Sequence, residues 1–247
     1  MLKWAFEGKL TNQNVKDGEL PKGWRKMILG EVGKVQLGRQ RSPKYISKDY
    51  PTKYIRAANI TDAGLDLSDL LEMEFTPKEF EQYQLLYGDL VLSEASGSPK
   101  HVGKPAMWRN KIENCCFQNT IIRLRPKEIA LSTFLLWLFK YYYHTGFFAN
   151  ISGGVGINHL SAGKFSNIEI SLPSLEEQQL IVDELESKLT VCDKIEETIS
   201  QSLLQAESLR QSILKKAFEG KLCMNPNSVD LSDELNVAAE PTTTYTK

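Results

Sequence analysis

Two loops rich in basic residues are the part of the 247-residue sequence best suited to chemistry. Neither Arg39–Lys48 nor Ala95–Lys104 contains an acidic residue, and glycine or proline lies in or beside each. Lysine and arginine side chains bind phosphate oxygens, while Arg, Asn, Gln and Ser can read base edges. We therefore predict DNA contacts from Arg39, Arg41 and Lys44 in the first loop, and from Ser96, Ser98, Lys100, His101 and Lys104 in the second.

Three further pairs of polar side chains are candidates for the same surface: Arg56 and Asn59, Gln118 and Asn119, Ser152 and Asn158. The two amides of the second pair have the chemistry to read adenine, and the third pair flanks a glycine-rich GGVG loop that lets the backbone approach phosphate. Each pair also has a purely structural interpretation. These are an ion pair with a turn cap, a strand-edge amide, and a flexible loop, respectively.

The sequence lacks the motifs of common catalytic and cofactor sites. It has no G-x-x-x-x-G-K-[ST] loop, no dinucleotide-type G-x-G-x-x-G and no [DNS]-P-P-[YFW] stretch of amino-methyltransferases. Its three histidines, His101, His144 and His159, lack the spacing of metal ligands, and its four cysteines form no C-x-x-C pair. We predict a non-catalytic chain with no cofactor and no bound metal.

Charge is segregated along the chain, although the formal net charge is only −1. Residues 21–60 hold ten Lys and Arg against two acids, residues 61–94 one Lys against nine acids, and residues 95–127 seven against one. Basic clusters of this kind neutralise DNA phosphates. Solvated loops and strand edges produce the same pattern, so charge alone leaves both interpretations open.

The composition, with 41% hydrophobic and 25% charged residues, is typical of a folded globular protein. The N-terminal sequence MLKWAFEGKL lacks the apolar stretch of a signal peptide. The most apolar segment, Ile129–Phe148, is interrupted by polar residues and falls short of the about 20 apolar residues that a membrane span needs. We expect a cytoplasmic protein without membrane contact, in which this segment forms a buried helix.

A long amphipathic helix is predicted from Leu175 to Glu219, a stretch without Gly or Pro. Ser174 and Glu177 form a capping box at its start, and Gly220 is placed to end it. A single helix cannot bury its own apolar stripe, so we predict a coiled-coil or dimer interface with a partner helix. The stripe residues predicted to form it are Ile181, Leu185, Leu189, Ile195, Ile199, Leu203, Leu209 and Ile213.

A nine-residue repeat brackets most of the chain. LKWAFEGKL at Leu2–Leu10 and LKKAFEGKL at Leu214–Leu222 match at eight of nine positions. Because the second copy ends the predicted long helix, the first is interpreted as the end of a preceding unit. The chain then divides into residues 1–19, the end of a preceding helix with a linker; a mixed α/β domain, 20–173; the long helix, 174–222; and a disordered tail, 223–247.

Short elements separated by Gly-, Pro- and Ser-rich breaks indicate an α+β domain between the two repeats. The predicted helices are Thr76–Leu86, with Thr76 as N-cap, and Ser132–Tyr143. The predicted strands are Met27–Val35, Lys53–Ile60, Asp89–Ser93 and Cys116–Leu124.

Several motifs, in this order along the chain, resemble the specificity (S) subunit of type I restriction–modification systems. They are LPKGW at 20–24, YIRAANI at 54–60, GDL at 88–90 with SGSPKHVGK at 96–104, QNTIIRLRP at 118–126, LPSLEEQQLIVDELE at 172–186 and SILKKAFEGKL at 212–222. Each motif is loose, but their order and the repeated AFEGKL make the resemblance specific. It extends over residues 2–222.

The resemblance implies a target recognition domain that reads one half of a bipartite DNA sequence, followed by a long spacer helix. It further implies two methyltransferase subunits as partners and, in a complete enzyme, an ATP-driven restriction subunit. A full S subunit carries two such domains with two helices packed antiparallel, whereas this sequence holds one of each. We therefore expect a homodimer, or pairing with a second half subunit. A helical protein-binding scaffold and a nuclease acting alone are the competing hypotheses.

Overall fold

The structure, a computed structural model, describes residues 1–12, 14–16, 18–40, 51–96, 101–152 and 158–222, with backbone only at Ala95, Ser96 and Asn158. It divides the chain into two compact units, Met1–Lys188 and Leu189–Lys247. The sequence predicted a boundary between residues 173 and 174. Ile181, Val182 and Leu185, in the first turns of the predicted long helix, are buried in the core of the first unit.

The α+β prediction is confirmed. The helices are α1 (Leu2–Phe6), α2 (Leu29–Val32), α3 (Pro77–Tyr83), α4 (Ser132–His144), α5 (Phe147–Ile151), α6 (Ala162–Ser166) and α7 (Leu175–Phe218). The strands are β1 (Arg25–Ile28), β2 (Gly33–Leu37), β3 (Pro51–Ile55), β4 (Ile60–Thr61), β5 (Gly64–Leu65), β6 (Leu71–Glu74), β7 (Leu90–Ser93), β8 (Ala95–Ser96), β9 (Pro105–Met107), β10 (Cys116–Phe117), β11 (Ile121–Pro126), β12 (Asn158–His159) and β13 (Glu169–Leu172).

Two sheets form the body of the first unit. One is four-stranded and antiparallel, in the order β2-β11-β7-β9, and the other has the order β10-β3-β6, with β3 parallel to β10 and antiparallel to β6. Three two-stranded ribbons, β1-β13, β12-β8 and β4-β5, complete the strand pairing of the described residues. Helix α4 packs against β9, and its buried face joins the largest hydrophobic cluster.

The sequence placed most elements correctly but missed interruptions in the strands. The predicted strand Met27–Val35 is broken by α2, whose Leu29 and Val32 are fully buried. The strand predicted at Lys53–Ile60 ends at Ile55 and gives way to a 3-10 turn, Ala57–Asn59. Period-two alternation does not distinguish a continuous strand from two short strands joined by one helical turn, because both can alternate buried and exposed side chains.

The start of α7 is fixed to the first unit by polar side chains. Ser174 accepts a hydrogen bond from the Glu177 N–H at 3.3 Å, which is half of the predicted capping box. The Glu177 carboxylate instead accepts from Thr11 Oγ1 and Asn12 Nδ2, each at 2.9 Å. Gln178, fully buried, donates to the carbonyls of Ile129 and Pro173 and accepts from the Leu131 N–H.

The two copies of the repeat share one backbone cap. Gly8 and Gly220 both adopt positive φ, at 75° and 69°. The N–H of the residue after each glycine donates to the carbonyl five residues back, from Lys9 to Trp4 and from Lys221 to Lys216, as in a Schellman motif.

The surroundings of the two copies differ. Phe6, in the first copy, contacts the rings of Phe134 and Tyr141, with both centroid distances 5.6 Å. Its counterpart in the second copy, Phe218, is 91% exposed. The phenylalanine of the shared AFEGKL sequence is therefore packed in the first copy and exposed in the second.

The cysteines within the described residues fall into two environments. Cys115 and Cys116 are adjacent and buried, and Cys192 is exposed on α7. Burial raises the pKa of the Cys115 thiol to about 12 and raises that of Cys116 as well. These two thiols are part of the hydrophobic clusters beside β3 and β10.

Candidate nucleic-acid interface

The β8-β12 ribbon brings together two of the predicted DNA-contacting segments. Ser96 pairs with Asn158, and Ala95 with His159, so the backbone at the start of the second predicted loop lies beside the backbone that follows the glycine-rich segment in the sequence. The Leu160 N–H donates to the carbonyl of Glu94 at 2.8 Å, which extends the pairing. Segments 62 residues apart at Ser96 and Asn158 are thus neighbours, which local sequence patterns cannot reveal.

The second loop is anchored at its described end by Ser93. The Ser93 hydroxyl donates to the carbonyl of His101 at 2.6 Å and accepts from the Lys104 N–H at 3.0 Å. The His101 side chain is exposed. The Lys104 side chain is 15% exposed, and its Nζ lies 2.8 Å from an oxygen of Asp62.

The contact between Lys104 and Asp62 favours the charged form of both side chains. The hydrogen bond that Lys104 Nζ donates to the Asp62 carboxylate raises the pKa of Lys104 and lowers the pKa of Asp62. The Lys104 ammonium also lies 5.8 Å from the centre of the Tyr143 ring. Lys104 is therefore charged but already paired with Asp62, so a DNA phosphate would have to compete with Asp62 for the ammonium group.

Arg39 has a structural role that the sequence did not indicate. Its side chain is 5% exposed, its Nε lies 2.8 Å from Glu79, and its Nη1 donates to the carbonyl of Glu74 at 2.7 Å. The guanidinium also lies 5.1 Å from the centre of the Phe75 ring. Burial would raise the pKa of Glu79, but the bonds from Arg39 and Thr76 outweigh it and lower that pKa. These contacts bind α3 to β6, and they leave Arg39 unsuited to the predicted DNA contact.

Arg56 and Asn59 have the structural roles that the sequence left open, an ion pair and a turn cap. Arg56 Nη2 lies 2.6 Å from Asp69, and Asn59 is only 3% exposed. The Asn59 side chain accepts from the Arg56 N–H and donates to the carbonyls of Asp66 and Asp69. The two side chains close the turn after β3 through their contacts with Asp66 and Asp69.

Gln118, Asn119 and Ser152 are only partly exposed. Arg39 and Gln118 form an isolated parallel bridge, and the Asn119 N–H donates to the Arg39 carbonyl. The Ser152 hydroxyl donates to the carbonyl of Ala149 at 2.7 Å. Of the remaining predicted contacts, Arg41, Lys44, Ser98 and Lys100 lie outside the described residues, as do the side chains of Ser96 and Asn158.

Three cations that the sequence analysis did not select lie around one cavity of about 150 Å³. Arg109 and Lys111 follow β9 and are exposed, whereas Lys140 lies on α4 and is half-buried. One feature of the sequence points to this site, the lone lysine Lys140 in the apolar sequence FLLWLFKYYY. A surface position of an amphipathic helix would produce the same pattern. The cavity appears only when α4 packs beside β9 and the β4-β5 hairpin.

The predicted partner stripe of α7 separates into two groups. Ile181 and Leu185 are fully buried in the first unit and do not belong to an open face. Leu189 is partly exposed, while five stripe residues of the second unit are between 46% and 66% exposed: Ile195, Ile199, Leu203, Leu209 and Ile213. An apolar groove formed by Val191, Ile195 and Ile199 lies on this part of the helix.

Two other classes of site are absent from the described residues. None of the helices they contain is both long enough and apolar enough to cross a membrane. In the same part of the chain, no three His, Cys, Asp or Glu side chains are grouped so that they could hold a metal ion.

Residues 21–205 match the type I restriction modification DNA specificity domain, which is three quarters of the chain. The chain belongs to this specificity-domain family. It is 30% identical over 211 residues to the EcoKI specificity subunit of Escherichia coli K12 and 29% identical over 211 residues to the StySPI specificity subunit of Salmonella potsdam. Both matches cover 83% of this chain and 44% of the relative, so the chain spans about half the length of these relatives.

Solved structures carry the same specificity-domain fold. The HsdS subunit from Thermoanaerobacter tengcongensis aligns with a TM-score of 0.59 and 22% identity, over 90% of this chain and 51% of that one. A chain from a study of assembly in the type I R-M system aligns with a TM-score of 0.61 and 22% identity, over 90% and 52%. The predicted combination of a mixed domain and a long helix is therefore the architecture of this family.

Proposed function

We propose that the chain is a sequence-specific DNA recognition unit of a type I restriction–modification complex, reading one half of a bipartite target. The observation that carries the proposal is the specificity-domain match, which extends from the recognition domain into α7. The β8-β12 ribbon supports it, because the ribbon joins two polar segments into one candidate surface. Double-stranded DNA is the proposed ligand.

The proposed contact surface is narrower than the sequence suggested. It retains His101, Lys104 and the residues outside the described part of the chain, and it omits Arg39 and Asn59 because their side chains are buried. Arg56 is also left out, since its guanidinium is held by Asp69. The partly exposed Gln118, Asn119 and Ser152 stay as secondary candidates.

The proposed partners are methyltransferase subunits and, in a complete restriction enzyme, the ATP-dependent restriction subunit. The chain itself is proposed to be non-catalytic and to act in the cytoplasm, where these partners would meet DNA. The exposed stripe of α7 is proposed to pair with a second copy of the chain or with another half subunit. Such pairing would supply the second recognition domain of a bipartite reader.

Methylation mapping tests the proposed function directly. The chain is co-expressed with a methyltransferase subunit that co-purifies with it, and modified bases are mapped across the host genome. We expect modification at one bipartite sequence, and none when this chain is left out. Co-purification without sequence-dependent methylation would favour the helical-scaffold hypothesis, and cleavage of DNA by the isolated chain with Mg²⁺ would favour a nuclease.

The pairing of α7 predicts a concentration-dependent dimer. Replacing Ile195→Asp and Ile199→Asp places two charges in the exposed stripe, so we expect light scattering at micromolar concentration to change from dimer to monomer. The control variant, Gln201→Asp with Ser208→Asp, adds the same charges on the face of α7 away from the stripe and should leave the dimer intact. A wild-type chain that is strictly monomeric would contradict self-pairing and favour a different half subunit.

A further inference from the structure

A small basic cavity lies beside the described end of the second polar loop. It is lined by the β4-β5 hairpin, by β9 and by one face of α4, on which Leu136 and Lys140 are one turn apart. Its volume of about 150 Å³ is below the ~300–1,000 Å³ of typical small-molecule pockets. A single phosphate group fits this scale better than a nucleotide or cofactor.

The charges that line the cavity are unbalanced. The lining contains three cations, Arg109, Lys111 and Lys140, and one carboxylate, that of Asp62. Asp62 is already bound to Lys104 at 2.8 Å. Within the described part of the chain, no ion pair involves any of the three cations, so the cavity carries a local excess of positive charge.

Lys140 is the residue whose position most requires an anion. It is half-buried on α4, and its Nζ lies 4.4 Å from the centre of the Trp137 ring. Burial lowers the pKa of Lys140, the charge of Arg109 lowers it further, and the charge of the Glu186 carboxylate opposes both. Removing an ammonium from water beside another cation is unfavourable unless a counterion occupies the site.

We propose that this cavity binds one phosphate group of the DNA backbone, held by Lys140 with Arg109 and Lys111 on either side. The inference rests on the proposed function and deepens it by naming a fixed backbone contact next to the readout loop. The proposal adds Arg109, Lys111 and Lys140 to the candidate DNA-contact surface that includes the β8-β12 ribbon.

The position of the cavity favours DNA over a free anion. The second loop ends at Lys104, β9 follows immediately, and Arg109 comes five residues later, which is at most about 17 Å of extended chain. That distance corresponds to about five base pairs at ~3.4 Å each, so one duplex can contact the loop and the cavity together. The Lys104–Asp62 pair links the end of the loop to the wall of the cavity.

The test is the salt dependence of DNA binding by the full chain. The cavity variant carries Arg109→Gln, Lys111→Gln and Lys140→Gln, and its matched control carries Lys22→Gln, Lys34→Gln and Lys78→Gln, three exposed lysines outside the cavity. Affinity for a fluorescent duplex is measured by anisotropy over a series of salt concentrations. Loss of one phosphate contact should reduce the slope of log affinity against log salt by about 0.9 in the cavity variant only. Both variants should first show the wild-type melting temperature.

Each outcome separates this inference from the proposed function. If the wild-type chain does not bind DNA, the proposed function fails with it. If the wild type binds and both variants lose slope equally, the cavity is not a specific contact and only this inference is overturned.

A third measurement distinguishes backbone phosphate from free phosphate. Inorganic phosphate is titrated while the fluorescence of Trp137 is followed, with Trp137→Phe identifying its signal. Saturable binding that requires Lys140, together with an unchanged DNA slope in the cavity variant, would reassign the site to a free anion. Displacement of phosphate by duplex DNA supports the proposed backbone contact.

Discussion

Replacing Asp89→Asn is expected to destabilise the recognition domain by about 3–5 kcal/mol, because it removes the charge that compensates a buried arginine. Asp89 and Arg123 are each 1% exposed, and the shortest distance between their charged atoms is 4.0 Å. Asp89 also receives two hydrogen bonds from Arg125, both at 2.8 Å, and one from the Leu86 N–H at 2.9 Å. The neutral amide cannot accept this full set.

The Arg123 guanidinium makes hydrogen bonds within the protein but is almost completely shielded from water. It donates to the Gln84 carbonyl at 2.9 Å and to Gln36 at 2.7 Å, and it lies 4.9 Å from the centre of the Phe117 ring. Burial lowers the pKa of Arg123 to about 10, and the Asp89 charge opposes that shift. Without Asp89, the buried charge has no carboxylate among its described contacts, which is the costly state.

Urea unfolding, monitored by tryptophan fluorescence, measures the decrease in the free energy of unfolding. The control is Asp69→Asn, which removes a carboxylate that is 70% exposed and paired with Arg56, and which should cost less than about 1 kcal/mol. Adding Arg123→Met to Asp89→Asn should recover part of the loss, because it removes the uncompensated charge. Equal effects of the two Asp→Asn changes would show that the Asp89 cluster contributes no more than a surface ion pair.

Replacing Phe6→Ala is expected to lower the free energy of unfolding by about 2–3 kcal/mol, less than for a fully buried ring because Phe6 is only partly buried. The change removes ring contacts with Phe134 and Tyr141 on α4. The repeat supplies an unusually close control, because Phe218→Ala makes the same change in the same AFEGKL sequence at an exposed position.

The Phe218→Ala variant should remain within about 0.5 kcal/mol of the wild type. Both variants are unfolded in urea at the same protein concentration. A similar loss in the two variants would mean that the second copy of the repeat is packed as firmly as the first, contrary to its exposure in the structure. A negligible loss in both would mean that α1 does not stabilise the domain.

The sequence predicted those features that depend on neighbouring residues. The spacing of apolar residues defines α7, and the apolar run Ile129–Phe148 indicates α4. The Thr76–Pro77–Glu79 signal identifies the start of α3, where Thr76 accepts from the Glu79 N–H. Gly220 marks the end of α7, and its left-handed cap likewise depends only on residues about one turn away. These interactions are local, so a single sequence contains them.

The site was harder to predict because its partners are distant along the chain. Arg39 was predicted to contact DNA because its loop contains no acidic residue, but Glu79, which binds it, is 40 residues away. Lys140 was not among the residues selected from the sequence, because its basic environment depends on Arg109 from another element. The partners of a charged side chain, rather than its type, decide whether it can contact DNA.

The two kinds of cysteine environment allow selective labelling of the long helix. Thiolates, not thiols, react with electrophilic reagents, and the raised pKa values and burial of Cys115 and Cys116 keep these two protonated and inaccessible at neutral pH. With Cys223→Ser in place, Cys192 becomes the attachment point for a fluorophore, between Leu189 and Ile195 of the apolar stripe. Its rate of alkylation would then report, in real time, whether a partner helix covers that stripe.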